Sequence, residues 1–384
     1  PCHIPENEFR KLRTMIRMYR RVAGVGLALT MLVAGCGHSS STSQGPATSS
    51  TPVPSVATSS TRAASATSQA ARDLPDPHTL RGLTEVPELP DPKPVEGSSA
   101  QKLPVTVTDV EGNKVTIKST SRILALDLYG TLSRTLIGLG LGDKIVGRTV
   151  SSTEKQLHDR PVVTENGHVL NVEAVAGLKP SVIIADRSVG PKEALDQLRK
   201  SGIPVVLVDP HRSVGSTPQL IRTIADAVGK PDAGEALVKR TQEQIDQAKK
   251  QIAAWKPAKP MRVAFLYVRG NAGVFFILGS ENGASELIQG VGADDVASDK
   301  GITTLVPANA ESLVSINPDA IFVMRDGLAS TGGMKGLLAR AGVANTTAGR
   351  KQRVISIPDG ISLSFGPQTG EVLTAVAKAL YGVK

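Results

Sequence analysis

The segment Asn171-Val172-Glu173-Ala174-Val175-Ala176-Gly177-Leu178-Lys179-Pro180-Ser181-Val182-Ile183-Ile184-Ala185 is matched, 138 residues later, by Asn309-Ala310-Glu311-Ser312-Leu313-Val314-Ser315-Ile316-Asn317-Pro318-Asp319-Ala320-Ile321-Phe322-Val323. Each copy reads as a capped helix, a proline break and a strand. Asn is a good helix N-cap, Glu two residues later complements the positive end of the helix dipole, and Pro stops the helix and feeds an extended run. Each copy then continues through a helix, Lys192 to Lys200 in the first and Met334 to Ala341 in the second, toward another strand. A self-match at this spacing predicts two lobes of one kind.

Around the repeat, strand-like apolar runs at Ile123 to Leu126, Val182 to Ala185, Val205 to Val208, Val263 to Val268, Ala320 to Val323 and Val354 to Ile357 alternate with helical stretches. That alternation predicts an α/β fold with mostly parallel sheets. Val105 to Thr108 and Lys114 to Ile117, flanking Glu111-Gly112-Asn113, predict a hairpin ahead of them. Between the lobes, Leu237, Thr241, Ile245, Ala248, Ile252 and Trp255 recur at steps of three and four, bounded by Pro231 and Pro257. They predict one helix of ~37 Å at 1.5 Å per residue. The expected domains are residues 104–228, the inter-lobe helix 229–257, and residues 258–384.

The N-terminal part is of another character. The first 35 residues carry six basic and two acidic side chains, so +4 of the chain's net +9 sits there. The apolar run from Val22 to Ala34 is too short to span a bilayer but suits the core of an export signal. Val33-Ala34-Gly35-Cys36 resembles the lipobox of bacterial lipoproteins, which implies cleavage and acylation, palmitate included, at Cys36. Because the chain opens on Pro1, Met15 or Met18 is the expected start and residues 1–35 are read as a possible extension plus signal peptide. From His38 to Ala70, 17 of 33 residues are Ser or Thr and none is Leu, Ile or Phe. Such a segment cannot bury enough apolar surface to offset its ordering entropy. With the Pro-rich stretch Leu74 to Pro94, residues 36–103 are read as a disordered tether, its coil reach ~45 Å.

Two lobes joined by a single long helix, the paired Asn-x-Glu motif and the lipobox together resemble the class III substrate-binding proteins of bacterial importers for iron-siderophores, cobalamin and haem. That resemblance covers roughly residues 104–384. It implies a non-enzymatic binding protein on the outer face of the cell membrane, monomeric, lipid-anchored and extracytoplasmic, with a permease and an ATPase as partners. In the family one Glu on each lobe docks onto basic residues of the permease, which carries over to Glu173 and Glu311. Complementation of their own helix dipoles is the alternative role for both.

A ligand of such a protein is expected between the lobes, at strand carboxyl ends. Two residues there can bind iron: His168, three before the cap Asn171, and Tyr267, at the end of the Val263 to Val268 run. Val263, Phe265, Tyr267 and Arg269 alternate to one face. An unperturbed phenol ionises near ~10, so a ferric ion and a neighbouring guanidinium must both favour the phenolate. Imidazole and an oxygen donor suit ferric iron. Gly167-His168-Val169-Leu170-Asn171 and Tyr267-Val268-Arg269 resemble the segments that ligate ferric haem (haem b) in haemin-binding lipoproteins of actinobacterial ABC importers, in which His and Tyr are axial ligands and Arg supports the Tyr. Other surface haem-binding proteins are then possible partners. The alternative is a ferric siderophore or cobalamin receptor. A solvated loop histidine and a rim tyrosine are the plainer readings of His168 and Tyr267.

Other residues carry less. Tyr129 follows the first strand and could line the pocket or bond a propionate, and Arg148, Arg187 and Arg325 are further propionate candidates. His211 reads as a turn residue, and His158 lies in a polar loop. Gly138-Leu139-Gly140-Leu141-Gly142 lacks Gly-Lys-Ser/Thr and reads as a helix stop. The chain has 11 aromatic residues, which argues against a stacking platform for nucleic acid. Its two cysteines, Cys2 and Cys36, argue against a disulfide scaffold. No Gly-x-Ser-x-Gly or His-Glu-x-x-His is present, so an extracellular hydrolase lacks its equipment.

Overall fold

The computed structural model describes residues 74–96, 101–270 and 273–384. Cys36, the apolar run before it and the Ser/Thr-rich segment after it lie outside the described residues.

The first strand, β1 (Leu83–Glu85), finds its partner at the far end of the sequence. β2 (Val105–Thr108) and β3 (Lys114–Ile117) form the expected antiparallel hairpin, with Val107 opposite Val115. Its turn is tied by Asp109, which accepts the backbone N–H of Glu111 at 3.0 Å and of Asn113 at 2.8 Å. Then come β4 (Ile123–Leu126), β5 (Ile145–Gly147), the short hairpin β6 (Thr164–Glu165) and β7 (Val169–Leu170), β8 (Val182–Ala185) and β9 (Val205–Leu207). β5-β4-β8-β9 is an all-parallel sheet. Both of its faces are covered, which is why its strands read as unbroken apolar runs. Ile123, Ala125, Val182 and Ile184 point into one core, with Leu132 and Leu136. Leu124, Leu126, Ile183 and Ala185 point into the other, with Leu195 and Leu198.

The second lobe is built on β10 (Arg262–Arg269), β11 (Val274–Ile277), β12 (Asp294–Asp295), β13 (Val306–Pro307), β14 (Ala320–Met324) and β15 (Val354–Ile357). The order is β1-β15-β14-β10-β11-β13, with β12 on the start of β10. β1, β15, β14 and β10 run parallel, while β11 and β13 are antiparallel additions, so this sheet is mixed. Val263 and Phe265 enter one core with Phe322 and Tyr381, whereas Ala264, Leu266 and Val268 enter the other.

The predicted connecting helix spans Pro231–Trp255. Pro231 sits at its first position, where the missing N–H would have no helical partner. Leu237 and Val238 belong to the core of the first lobe, Ala248 and Ile252 to that of the second. One rigid element is therefore shared by both cores. No helix among the described residues is long and apolar enough to cross a membrane.

The expectation of a coreless tether up to residue 103 does not hold for residues 74–96. β1 pairs in parallel with β15, Leu83 opposite Val354, and Val86, wholly buried, enters the second lobe's core. The chain then passes Gln368 of the second lobe and the connecting helix on its way to the first lobe. Pro90 O accepts from Gln368 Nε2 at 2.9 Å, Lys93 O from Arg240 Nη2 at 2.7 Å, and Val95 joins the first core. Asp91 takes the N–H groups of Lys155 and Gln156 at 2.8 and 2.9 Å. Proline is what the composition argument misjudged: Pro87, Pro90, Pro92 and Pro94 restrict the unfolded chain, so less entropy is lost when the strap docks.

Candidate functional site

The carboxyl ends of the two sheets face one another. Arg134, on the helix after β4, donates from Nη1 to Gln368 Oε1 at 2.7 Å and from Nε to Gly360 O at 3.3 Å, both in the second lobe. Glu154 holds the same guanidinium at 3.3 Å. Tyr129, three residues beyond β4, packs its half-buried ring against the core of the second lobe. Segments that follow strand carboxyl ends thus meet between the lobes, and strand carboxyl ends are where open α/β sheets bind ligands.

On the second lobe Tyr267 is partly buried near the end of β10. Two residues on, and on the same face, Arg269 lays its guanidinium carbon 4.9 Å from the centre of the Tyr267 ring. The contact is a cation–π one, in which the ring's negative face attracts the guanidinium.

His168 stands on the opposite lobe, in the turn between β6 and β7. Asn166 and Gly167 both have positive φ, 50° and 89°, the conformation for which Asn-Gly is suited. Gly190 pins the hairpin, donating to His168 O at 2.9 Å and accepting from Leu170 N at 2.6 Å. The His168 side chain is exposed. No hydrogen bond joins it to Tyr267 or Arg269 among the described residues.

Below Tyr129 lies a charged cluster that sequence reasoning missed. Asp127 and Asp186, the residues immediately after β4 and β8, are buried, as is Arg212. Arg212 is paired with Asp186 and lies 3.6 Å from Asp127, and its guanidinium carbon is 5.5 Å from the Tyr129 ring centre. Burial, with Asp186 adding to it, pushes the Asp127 carboxyl up to about 7, against the pull of Arg212 and the Thr131 N–H. Burial likewise raises the Tyr129 phenol. The signal was present in the sequence: an aspartate follows strand after strand, at Asp127, Asp186 and Asp209.

The other candidates fall elsewhere. Arg187 is bound to Glu111 at 2.8 Å and Asp196 at 3.0 Å, and Arg325 to Glu88 at 2.7 Å. Both are committed to carboxylates and so hold the hairpin and the strap rather than offer a charge to a ligand. Among the described residues the Arg148 guanidinium donates to the carbonyls of Thr149 and Ser152, both at 3.5 Å. His211 is exposed and paired with Asp209 at 2.8 Å, and His158 is exposed. The glycine-rich stretch after Gly138 does end a helix, with Gly140 at φ 77°. Glu173 and Glu311 are both exposed, in the first turns of helices Val172–Gly177 and Ala310–Ile316. A cavity of about 850 Å³ opens behind the lobes, between β1, the connecting helix and the last helix, lined by Thr84, Leu89, Arg240, Gln244 and Lys378. It contains neither His168 nor Tyr267.

The chain resembles the heme binding protein HmuT, whose crystal structure superposes with a TM-score of 0.79 at 49% identity, covering 81% of this chain and all of that one. HmuT has also been solved with alanine in place of a histidine, of a tyrosine and of an arginine. The periplasmic heme-binding protein RhuT of Roseiflexus sp. RS-1 matches with a TM-score of 0.64 and 32% identity over 69% of this chain and 99% of its own. The ABC transporter substrate-binding lipoprotein YvrC of Bacillus subtilis (strain 168) is 27% identical over 280 residues, 72% of this chain and 86% of that protein. Residues 128–360 match the family described as periplasmic binding protein, and the chain belongs to that family.

Proposed function

We propose that the protein captures ferric haem between its two lobes, with His168 and Tyr267 as the axial ligands, and delivers it to the permease of an ABC-type haem importer. The observation that carries this reading is Arg269 lying 4.9 Å from the Tyr267 ring at the carboxyl edge of the second lobe. It is supported by a coincidence of spacing. The histidine, tyrosine and arginine replaced in the HmuT variants stand at the same intervals along that chain as His168, Tyr267 and Arg269 do along this one.

The donor set suits a porphyrin better than a bare ion. Among the described residues no group of three or more His, Cys, Asp or Glu is arranged to hold a metal. A ligand that brings four equatorial nitrogens needs only one donor from each face, and two lobes supply one each. A phenolate supported by a guanidinium selects the ferric state, because a hard anionic oxygen favours the higher charge. Binding requires no chemical step by the protein. Anchoring through a lipid on Cys36 keeps the lobes at the outer face of the membrane, while exposed Glu173 and Glu311 give the permease, which its ATPase drives, a two-point register.

Adding haemin to the purified chain tests the reading. A ferric Soret spectrum distinct from free haemin is expected, with His168→Ala and Tyr267→Ala each altering it. Haemin absorbance left unchanged by the protein would remove haem as the ligand and return a siderophore or cobalamin to first place.

A further inference from the structure

Arg269 is held by more than its own strand. Its Nη2 donates to Asp359 Oδ1 at 2.6 Å and lies 3.3 Å from Met324 Sδ, while Nη1 donates to Val268 O at 3.3 Å. Room for the guanidinium is made by Gly327, where a Cβ would come within 2.2 Å of Nη1. Asp359 is fixed in turn: its Oδ2 accepts the backbone N–H of Asp326 at 2.8 Å. Four elements therefore converge on one guanidinium, namely β10, β14, the helix Arg325–Ser330 and the short helix Asp359–Ser362 after β15.

An arginine at a strand end has many rotamers, and water competes for its donors. A charge-assisted bond to a carboxylate that is itself tied down removes that freedom. Burial raises the Asp359 carboxyl, with the Asp326 carboxylate adding to it, while the Asp326 N–H and Arg269 pull it back. The carboxylate thus depends on the arginine as much as the arginine on it.

We propose that Asp359 is a positioning residue for Tyr267: its carboxylate holds the Arg269 guanidinium over the phenol ring, so that the ring is oriented before a ligand arrives. The consequence for haem rests on the function proposed above, but the contact itself does not.

The full chain, with its tyrosines isotopically labelled, tests this by NMR, Tyr267→Phe assigning the ring signal. Asp359→Ala moves the Tyr267 ring signal to the position it takes in Arg269→Ala, the double variant adds nothing, and Asp359→Asn, which keeps an oxygen acceptor of the same shape, restores most of the original shift. With haemin bound, Asp359→Ala and Arg269→Ala speed dissociation by the same factor, about ten-fold, the size of effect seen when supporting partners of metal ligands are lost. A Tyr267 signal unmoved by Asp359→Ala, or an Asp359→Ala effect that persists undiminished without Arg269, overturns the proposal. Should haemin fail to bind the unaltered chain, the ligand assignment falls while the ring signals still decide the role of Asp359.

Discussion

Asn171 and Asn309 make the same bond in the two lobes: each Oδ1 lies 2.8 Å from the backbone nitrogen three residues on, that of Ala174 in one and Ser312 in the other. In the second lobe Ser312 Oγ returns the favour by accepting the Asn309 N–H at 3.0 Å. The caps fix where each helix begins, and thereby where Glu173 and Glu311 emerge. Replacing either Asn by Ala leaves an amide without its partner, and about 1 kcal/mol of stability should be lost in each case. Urea titration of the two variants measures it. A midpoint unchanged in both would mean that water replaces the side chain without cost.

If Glu173 and Glu311 serve a partner rather than their own helices, charge reversal separates the roles. Glu173→Lys and Glu311→Lys should leave the haemin spectrum as it is and reduce haem delivery to the importer in membrane vesicles, the double variant more than either single one. Like charges placed against a basic partner surface slow association and weaken it at low salt. Delivery that survives both reversals would leave the two carboxylates with helix dipoles alone.

Where the chain is buried on both sides the sequence is legible. Ile123–Leu126, Val182–Ala185 and Val354–Ile357 are expected strands because every residue but Ser356 is apolar, and they are strands because every residue is covered. The connecting helix is legible from Pro231 to Trp255 because its apolar period never slips. β1 is not, since Leu83-Thr84-Glu85 alternates and lies among prolines, and its worth comes from β15, 271 positions away at Leu83 and Val354. The β6–β7 hairpin is not legible either, although Asn166-Gly167 announces a turn, because two-residue strands leave no pattern. At the site, Tyr267 and Arg269 are legible through strand alternation. Asp359 is not, as a contact between residues 90 positions apart has no local signature.

The strap makes a measurable contribution. Val86 is fully buried in the core of the second lobe, and its N–H bonds Ser356 O at 2.8 Å. Val86→Ala should lower stability by about 1–3 kcal/mol through lost apolar burial and the cavity left behind. Limited proteolysis gives a second reading: cleavage between residues 86 and 95 should quicken in the variant. An unaltered denaturation midpoint would mean that the strap lies on the lobes without stabilising them.

The Asp127–Asp186–Arg212 cluster sets a pH dependence whose sign is fixed by burial. In the folded chain the Asp127 carboxyl holds its proton up to about 7, whereas its ordinary value is 3.8. Between those two values the folded state binds the proton and the unfolded state has released it. Its contribution to stability is therefore complete below about pH 4 and lost as pH rises through about 7. The groups facing it act in both directions: Asp186 repels the ionised form, while Arg212 and the Thr131 N–H favour it. Asp127→Asn keeps an acceptor for Thr131 and cannot ionise. Measured by urea unfolding, the stability of the variant relative to the unaltered chain should rise between pH 4.5 and pH 8, because only the unaltered chain has to bury a second negative charge beside Asp186. A difference that stays constant across this range would show that Arg212 neutralises both carboxylates at once, and that Tyr129 rests on an ion triad indifferent to pH.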